Sequence, residues 1–195
     1  MDKWKEIWNK KERANKIVLE TLIKADGFDS GAGSFCVDEW IEYTQQFFNK
    51  LNIEENQSVF DVGCGSGAFV FPLYLKNNKV GGADYSMVLI DLANTIMKNS
   101  HFEVNEATKI DTNKKFDHVI SHSVFHYFKD LDYAKTVIEK MLDKANKKIG
   151  IFDINDKAKE EKYHKIRMEG ISKEEYKKNI QDLSICFMIK IGFYL

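Results

Sequence analysis

Gly63, Gly65 and Gly67 stand at alternate positions at the end of the apolar run Val59-Phe60-Asp61-Val62, and a new apolar segment starts at Ala68. A strand that turns this tightly into a helix uses backbone angles that a side chain forbids, and it lets a ligand approach the main chain. The spacing predicts a nucleoside-binding elbow. Asp61 lies inside the strand, where a carboxylate is unwelcome unless it orders the loop or meets a cationic or hydroxylated ligand. A second acid, Asp84, ends the stretch Lys79-Val80-Gly81-Gly82-Ala83 about twenty positions beyond Gly63, the separation of a carboxylate that accepts from ribose hydroxyls. A phosphate loop fits poorly, because that pattern asks for Gly-Lys-Ser/Thr and no lysine follows Gly67 before Lys76. The dinucleotide spacing G-x-G-x-x-G is absent too, and G-x-G-x-G suits a nucleoside without a pyrophosphate.

The run VFDVGCGSGAF resembles the first motif of class I S-adenosylmethionine-dependent methyltransferases, and GGADYSMVLIDLA resembles their second. Asn105-Glu106-Ala107 is similar to the acid-plus-small pair after the third strand of that family, which more often has aspartate there. Phe116-Asp117-His118-Val119-Ile120-Ser121-His122-Ser123-Val124-Phe125-His126-Tyr127 is similar to the fourth strand and the loop beyond it. The resemblance runs over residues 35 to 155 or so, with four motifs in the family's order. It implies S-adenosylmethionine as cofactor. Gly63, Cys64, Gly65 and Gly67 would wrap the methionine part, with Asp61 near its amino end. Asp84 would hold the ribose between Tyr85 and Ser86, Glu106 and Ala107 would address the adenine, and Ser121 would line the seam with the acceptor.

Methyl transfer from a sulfonium is an in-line displacement, which needs the acceptor atom positioned and, where it is a hydroxyl, deprotonated. His122 and His126 are the candidate bases, since both follow the fourth strand and imidazole titrates near neutral pH. The same His126, in Val-Phe-His-Tyr-Phe, is equally accounted for as a hydrogen-bonded packing residue. Asp153 and Asp156 are weaker candidates that would also serve as caps of a following helix. The histidines share no common spacing, so no metal is expected.

The elements that must hold these residues follow from periodicity. Two helices are predicted over residues 2–24 and 37–51, separated by the breaker Asp26-Gly27-Phe28-Asp29-Ser30-Gly31-Ala32-Gly33. Strands are then predicted at 58–62, 79–84, 101–104, 116–122 and 148–153, with helices at 67–77, 86–99, 130–144 and from 157. Such alternation specifies an α/β, Rossmann-like doubly wound, mainly parallel sheet, with ligands at the carboxyl ends of the strands. A single domain over 1–195 is expected, with 1–52 as an N-terminal helical lid, 53–156 as the cofactor-binding core and 157–195 as a helix and tail. The 27–33 segment reads either as a plain connector or as part of a lid that closes Trp4, Trp8, Phe28 and Phe35 over the cofactor.

Net charge is −1, from 29 basic and 30 acidic residues. A nucleic-acid substrate is disfavoured, because no global field recruits one; a small-molecule acceptor, such as a sugar or surface-polysaccharide precursor, is expected at an O or N atom. Three scattered cysteines without a C-x-x-C pair point to a reducing, cytoplasmic setting, and no apolar run approaches a membrane span.

The C-terminus departs from the family, whose sheet ends in a helix and a closing antiparallel pair of strands. Ser184 to Leu195 reads as one apolar strand, or as the product of a shifted reading frame. Taking each codon's last base with the next two turns Met188-Ile189 into Asp and Phe193-Tyr194 into Leu, and permits HLFYDKDWFL for the run. The shifted-frame reading expects an incomplete sheet edge, open to a second copy of the chain there or through the lid. On that reading the alternative to an active enzyme is a truncated, inactive cofactor-binding remnant.

Overall fold

The computed structural model describes residues 2–30, 34–155 and 184–190. Helices α1 (Asp2–Ala25) and α2 (Val37–Leu51) come first. They are followed by β1 (Ser58–Val62), α3 (Phe71–Leu75), β2 (Lys79–Asp84), α4 (Met87–Ile96), β3 (His101–Val104), β4 (Phe116–His122), α5 (Leu131–Lys144), β5 (Ala145–Asn155) and β6 (Ser184–Lys190). The strands form one sheet in the order β3-β2-β1-β4-β5-β6. The first five are mutually parallel and β6 runs antiparallel against β5. This is the doubly wound α/β arrangement, with its switch point between β1 and β4.

Local chemistry accounts for the element ends. The Glu39 carboxylate accepts from the Cys36 amide at 2.8 Å and closes the start of α2. Asn52, at φ 53°, ends that helix in the left-handed conformation. Asp130 accepts from the Tyr133 amide at 2.7 Å and starts α5. The predicted helix over 67–77 shrinks to five residues. Gly67, at φ +83°, holds the preceding segment in turns, Pro72 marks the first helical turn, and Asn77 at φ 63° stops the helix. Helix 86–99 likewise ends early at Ile96, and β5 begins three residues sooner than predicted. The helix predicted from 157 lies outside the described residues, and among the described residues one antiparallel strand, β6, closes the sheet against β5.

Strand alternation divides the core in two. Val59, Ile120 and Phe152 face one way, into a cluster with Leu19, Leu22 and Ile23 of α1, Trp40 and Phe48 of α2 and Ile90 of α4. Phe60, Val62, Val119 and Ile149 face the other way, against Val137 and Met141 of α5. The first two helices are therefore part of the main core: Trp40 is wholly buried and its indole N–H donates to the Ala68 carbonyl at 3.0 Å. Phe28 and Phe35 both pack on the Trp40 ring. The side chains of Trp4 and Trp8 lie outside what the structure describes.

Candidate active site

The carboxyl ends of β1, β2 and β4 open on a cavity of about 820 Å³. Its floor is the glycine loop. Gly63 and Gly65 line it at φ +78° and +53°, so the loop turns left-handed twice and leaves no room for side chains. A Cβ on Gly63 would lie 2.4 Å from a Val124 methyl, and one on Gly65 would lie 2.5 Å from Asp26 Oδ1. The loop is thus clasped from both sides, by the segment after β4 and by the end of α1.

Asp84 is fixed by backbone donors. Gly65 N–H donates to Oδ2 at 3.0 Å and Ser86 N–H to Oδ1 at 2.8 Å. Each oxygen keeps a lone pair for the cavity. Asp61 is 2% exposed, and its Oδ1 has no hydrogen-bond partner among the described residues. Burial first, and then the charges of Asp26 and Asp84, push its carboxyl well above the ordinary range. Burial also raises Asp26, to about 6, against the Ser66 and Ala68 backbone amides that favour its charged form. The Cys64 thiol is pushed up by burial and by the same carboxylates, which makes it an unreactive wall group.

Of the residues that sequence singled out, Asp61, Gly63, Cys64, Gly65, Asp84, Tyr85, Glu106, Ala107 and His122 share this one wall. Gly67 lies behind the loop against Met97, and Ser86 contributes its amide to Asp84. Ser121 is turned away from the wall. Its buried hydroxyl donates to the Val62 carbonyl at 2.8 Å and ties β4 to β1. Glu106 pairs with Lys109 at 3.0 Å.

His122 is buried in a box of rings. It stacks on Phe69 with centroids 4.3 Å apart, and its Nε2 shares a hydrogen bond of 2.8 Å with the Tyr43 hydroxyl. Burial lowers its pKa to about 4, with Asp153 opposing and His126 assisting, so the ring is neutral at pH 7. His126 is exposed on the short 3-10 turn Phe125–Tyr127, with its ring 4.1 Å from that of Tyr127, and is not in the wall.

Sequence reasoning missed Asp26, Phe69, Ser123 and the far wall of Tyr127, Phe128, Lys129 and Tyr133. Position just past the fourth strand was the available signal for that far wall. For Asp26 there was none beyond an acid beside a glycine, since its partner Ser66 is forty residues away. Ser123, just past β4, and Asp153, at a register shift inside β5, both sit at φ 56° and are joined by a hydrogen bond from the Ser123 hydroxyl to the carboxylate. Two strained residues holding each other beside a cavity are a recurrent property of functional edges.

A mainly parallel sheet, a left-handed glycine loop and a backbone-anchored acid at the end of the next strand accord with a Rossmann-like methyltransferase domain. The chain belongs to the family described as "Methyltransferase domain", whose profile matches residues 53–186. It is 30% identical over 80 residues to the putative methyltransferase 235L of Invertebrate iridescent virus 6, a match covering 40% of this chain and 30% of that protein. The chain's matches span less than a third of the length of the curated relatives it resembles. Among solved structures, magnesium protoporphyrin IX methyltransferase from Synechocystis PCC 6803 with bound SAH superposes with a TM-score of 0.59 at 15% identity, over 91% of this chain and 100% of that one. The sugar N-methyltransferase KedS8 from Streptoalloteichus sp ATCC 53650 gives 0.50 at 17% identity, over 57% and 46%. Among the described residues no helix is long and apolar enough to cross a membrane, and no group of three His, Cys, Asp or Glu side chains could hold a metal ion.

Proposed function

We propose that this chain transfers a methyl group from S-adenosylmethionine to an oxygen or nitrogen of a small molecule. The observation that carries this reading is the two-part cavity: an acidic, glycine-floored half under β1 and β2, continuous with an aromatic half beyond β4. The first half fits the cofactor. Asp84, held by two backbone amides, offers oxygens to ribose hydroxyls, and the orphan Asp61 oxygen asks for a cationic or strongly donating group. Leu89, Ala107 and Tyr85 supply flat apolar contacts beside Asn105 and Glu106 for a purine. When bound, the cofactor supplies an electrophilic methyl group.

The second half suits an acceptor of modest size. The total volume lies within the ~300–1,000 Å³ of ordinary small-ligand sites, and the cofactor takes much of it. The Tyr127, Phe128 and Tyr133 rings give stacking surfaces, and Ser123 and Lys129 add polar atoms. Exposed rings of Tyr85 and Tyr127 flank the mouth. A sugar ring or an aromatic amine fits that chemistry, and the KedS8 likeness points toward a sugar. His122 serves as a neutral hydrogen-bond partner that orients the acceptor. Its lowered pKa makes it a weak proton acceptor at pH 7, so the preferred acceptor is an amine that attacks in its free-base form.

The test is to incubate the purified chain with S-adenosylmethionine and panels of amino sugars, arylamines, phenols and oligonucleotides, reading S-adenosylhomocysteine and product mass. Methylated amines support the proposal. Methylated oligonucleotides, or no product from a chain that binds the cofactor, refute it.

A further inference from the structure

The cavity wall holds an acid that the sheet does not supply. Asp26 follows the last turn of α1, with its amide donating to the Leu22 carbonyl at 3.0 Å. Its Oδ1 accepts from the Ser66 amide at 2.7 Å and lies so flush on the loop that Gly65 has no room for a methyl group. The Ser66 hydroxyl turns back to donate to Leu22 O at 3.2 Å, which makes the joint between α1 and the glycine loop reciprocal.

Asp26 and Asp61 are close enough for the charge of Asp26 to act on Asp61 more strongly than that of Asp84 does. Asp61 is almost fully buried, faces the cavity, and has one oxygen without a partner among the described residues. The cation in the wall is committed elsewhere: Lys129 Nζ lies 3.8 Å from Asp130 and 5.9 Å from the centre of the Tyr133 ring. Two neighbouring carboxylates with an unanswered oxygen call for a positively charged donor. The described acids and histidines do not converge as a metal site would require, so the donor is an organic cation.

We propose that Asp26 and Asp61 together receive the α-ammonium group of the cofactor, so that the end of α1 supplies part of the cofactor site. The proposal rests on the cofactor reading above and adds to it a positioning residue from outside the sheet. The ionisable groups facing Asp26 are the carboxyls of Asp61 and Asp84 and the Cys64 thiol, which burial keeps protonated, so no cation of the described residues answers Asp26 there. A bound ammonium reverses that balance, so binding at pH 6 to 7 expels protons.

The experiment is calorimetric titration of wild-type and Asp26→Asn protein with S-adenosylmethionine, S-adenosylhomocysteine and 5′-methylthioadenosine, which lacks the amino-acid end. Each titration is run in two buffers of different ionisation enthalpy. Asparagine keeps an oxygen for the Ser66 amide, and thermal melts verify the fold. Expected in the variant is a loss of ~10-fold or more for both amino-acid-bearing ligands, as for removal of one member of a charge pair. Proton release should fall, and affinity for 5′-methylthioadenosine should stay within about twofold. Unchanged binding of S-adenosylmethionine, or an equal loss for all three ligands, overturns the proposal. A folded wild-type chain that binds none of them overturns the cofactor reading itself, so the two failures are distinguishable.

Discussion

Replacing Gly63 by alanine tests whether the glycine loop is shaped by its neighbour as well as by its own backbone. At φ +78° an alanine costs ~1–2 kcal/mol in left-handed strain. Its Cβ would also come within 2.4 and 2.8 Å of the two γ-carbons of Val124, far inside contact distance, and such overpacking adds ~1–2 kcal/mol. Gly63→Ala should therefore lower stability by about 2–4 kcal/mol, or roughly 4–16 °C in melting temperature at this chain length. Val124→Ala alone removes two methyl groups from a half-buried side chain and should cost ~1 kcal/mol. In the double variant both γ-carbon clashes are gone; the strain and the lost burial remain, with a contact of 3.2 Å to the Cβ of residue 124 that a shift of the backbone relieves. The total should fall short of the sum of the single effects by about 1–2 kcal/mol. Urea unfolding of all four proteins, with equal m-values as a check, measures this coupling. Additivity within ~0.5 kcal/mol would refute the claim that Val124 presses on the loop.

Asp61→Asn should stabilise the free protein at pH 7.5 while weakening cofactor binding. A carboxyl raised in the folded state stabilises below its unfolded value and loses that contribution as pH rises through the folded value, so the variant's advantage should vanish below pH 4 in thermal melts. His118 and His122 work in the opposite sense. Burial lowers both to about 4 from 6.5, so the unfolded chain binds more protons between those values and stability should fall as pH drops from 6.5 to 4. Neither ring should titrate between pH 5.5 and 8 when followed by NMR. Trp40→Phe leaves the buried Ala68 carbonyl without its donor; a loss of ~1–3 kcal/mol in denaturant unfolding is expected, and none would show that the bond is dispensable.

The parallel core was readable because its signals are local: four strand ranges, 58–62, 79–84, 101–104 and 116–122, coincide with the observed elements. Helix ends were less so, since whether Ala68 to Val70 continue into α3 depends on the left-handed Gly67 and on Met97 packed behind it. The site split along the same line. Gly63, Gly65, Asp61 and Asp84 announce themselves by spacing along adjoining strands. Ser121 looked equally placed, but alternation along β4 turns its hydroxyl to Val62, and its neighbour His122 takes the cavity side. Asp26 was unreadable, because its role comes from a bond across forty residues that no local pattern encodes.

The family likeness begins at residue 53, yet the folding unit does not. Leu22, Trp40, Phe47 and Leu51 are buried in one cluster with Val59, Phe69 and Phe152, and Tyr43 reaches His122. A fragment starting at 53 would bare to water the part of that sheet face that α1 and α2 cover, and should be recovered as aggregate instead of as a working core. The same weld constrains chimeras. Grafting the first two helices of another family member onto this sheet means carrying over partners for Phe69, His122 and Phe152 as well, so acceptor preference and core packing have to be exchanged as one piece.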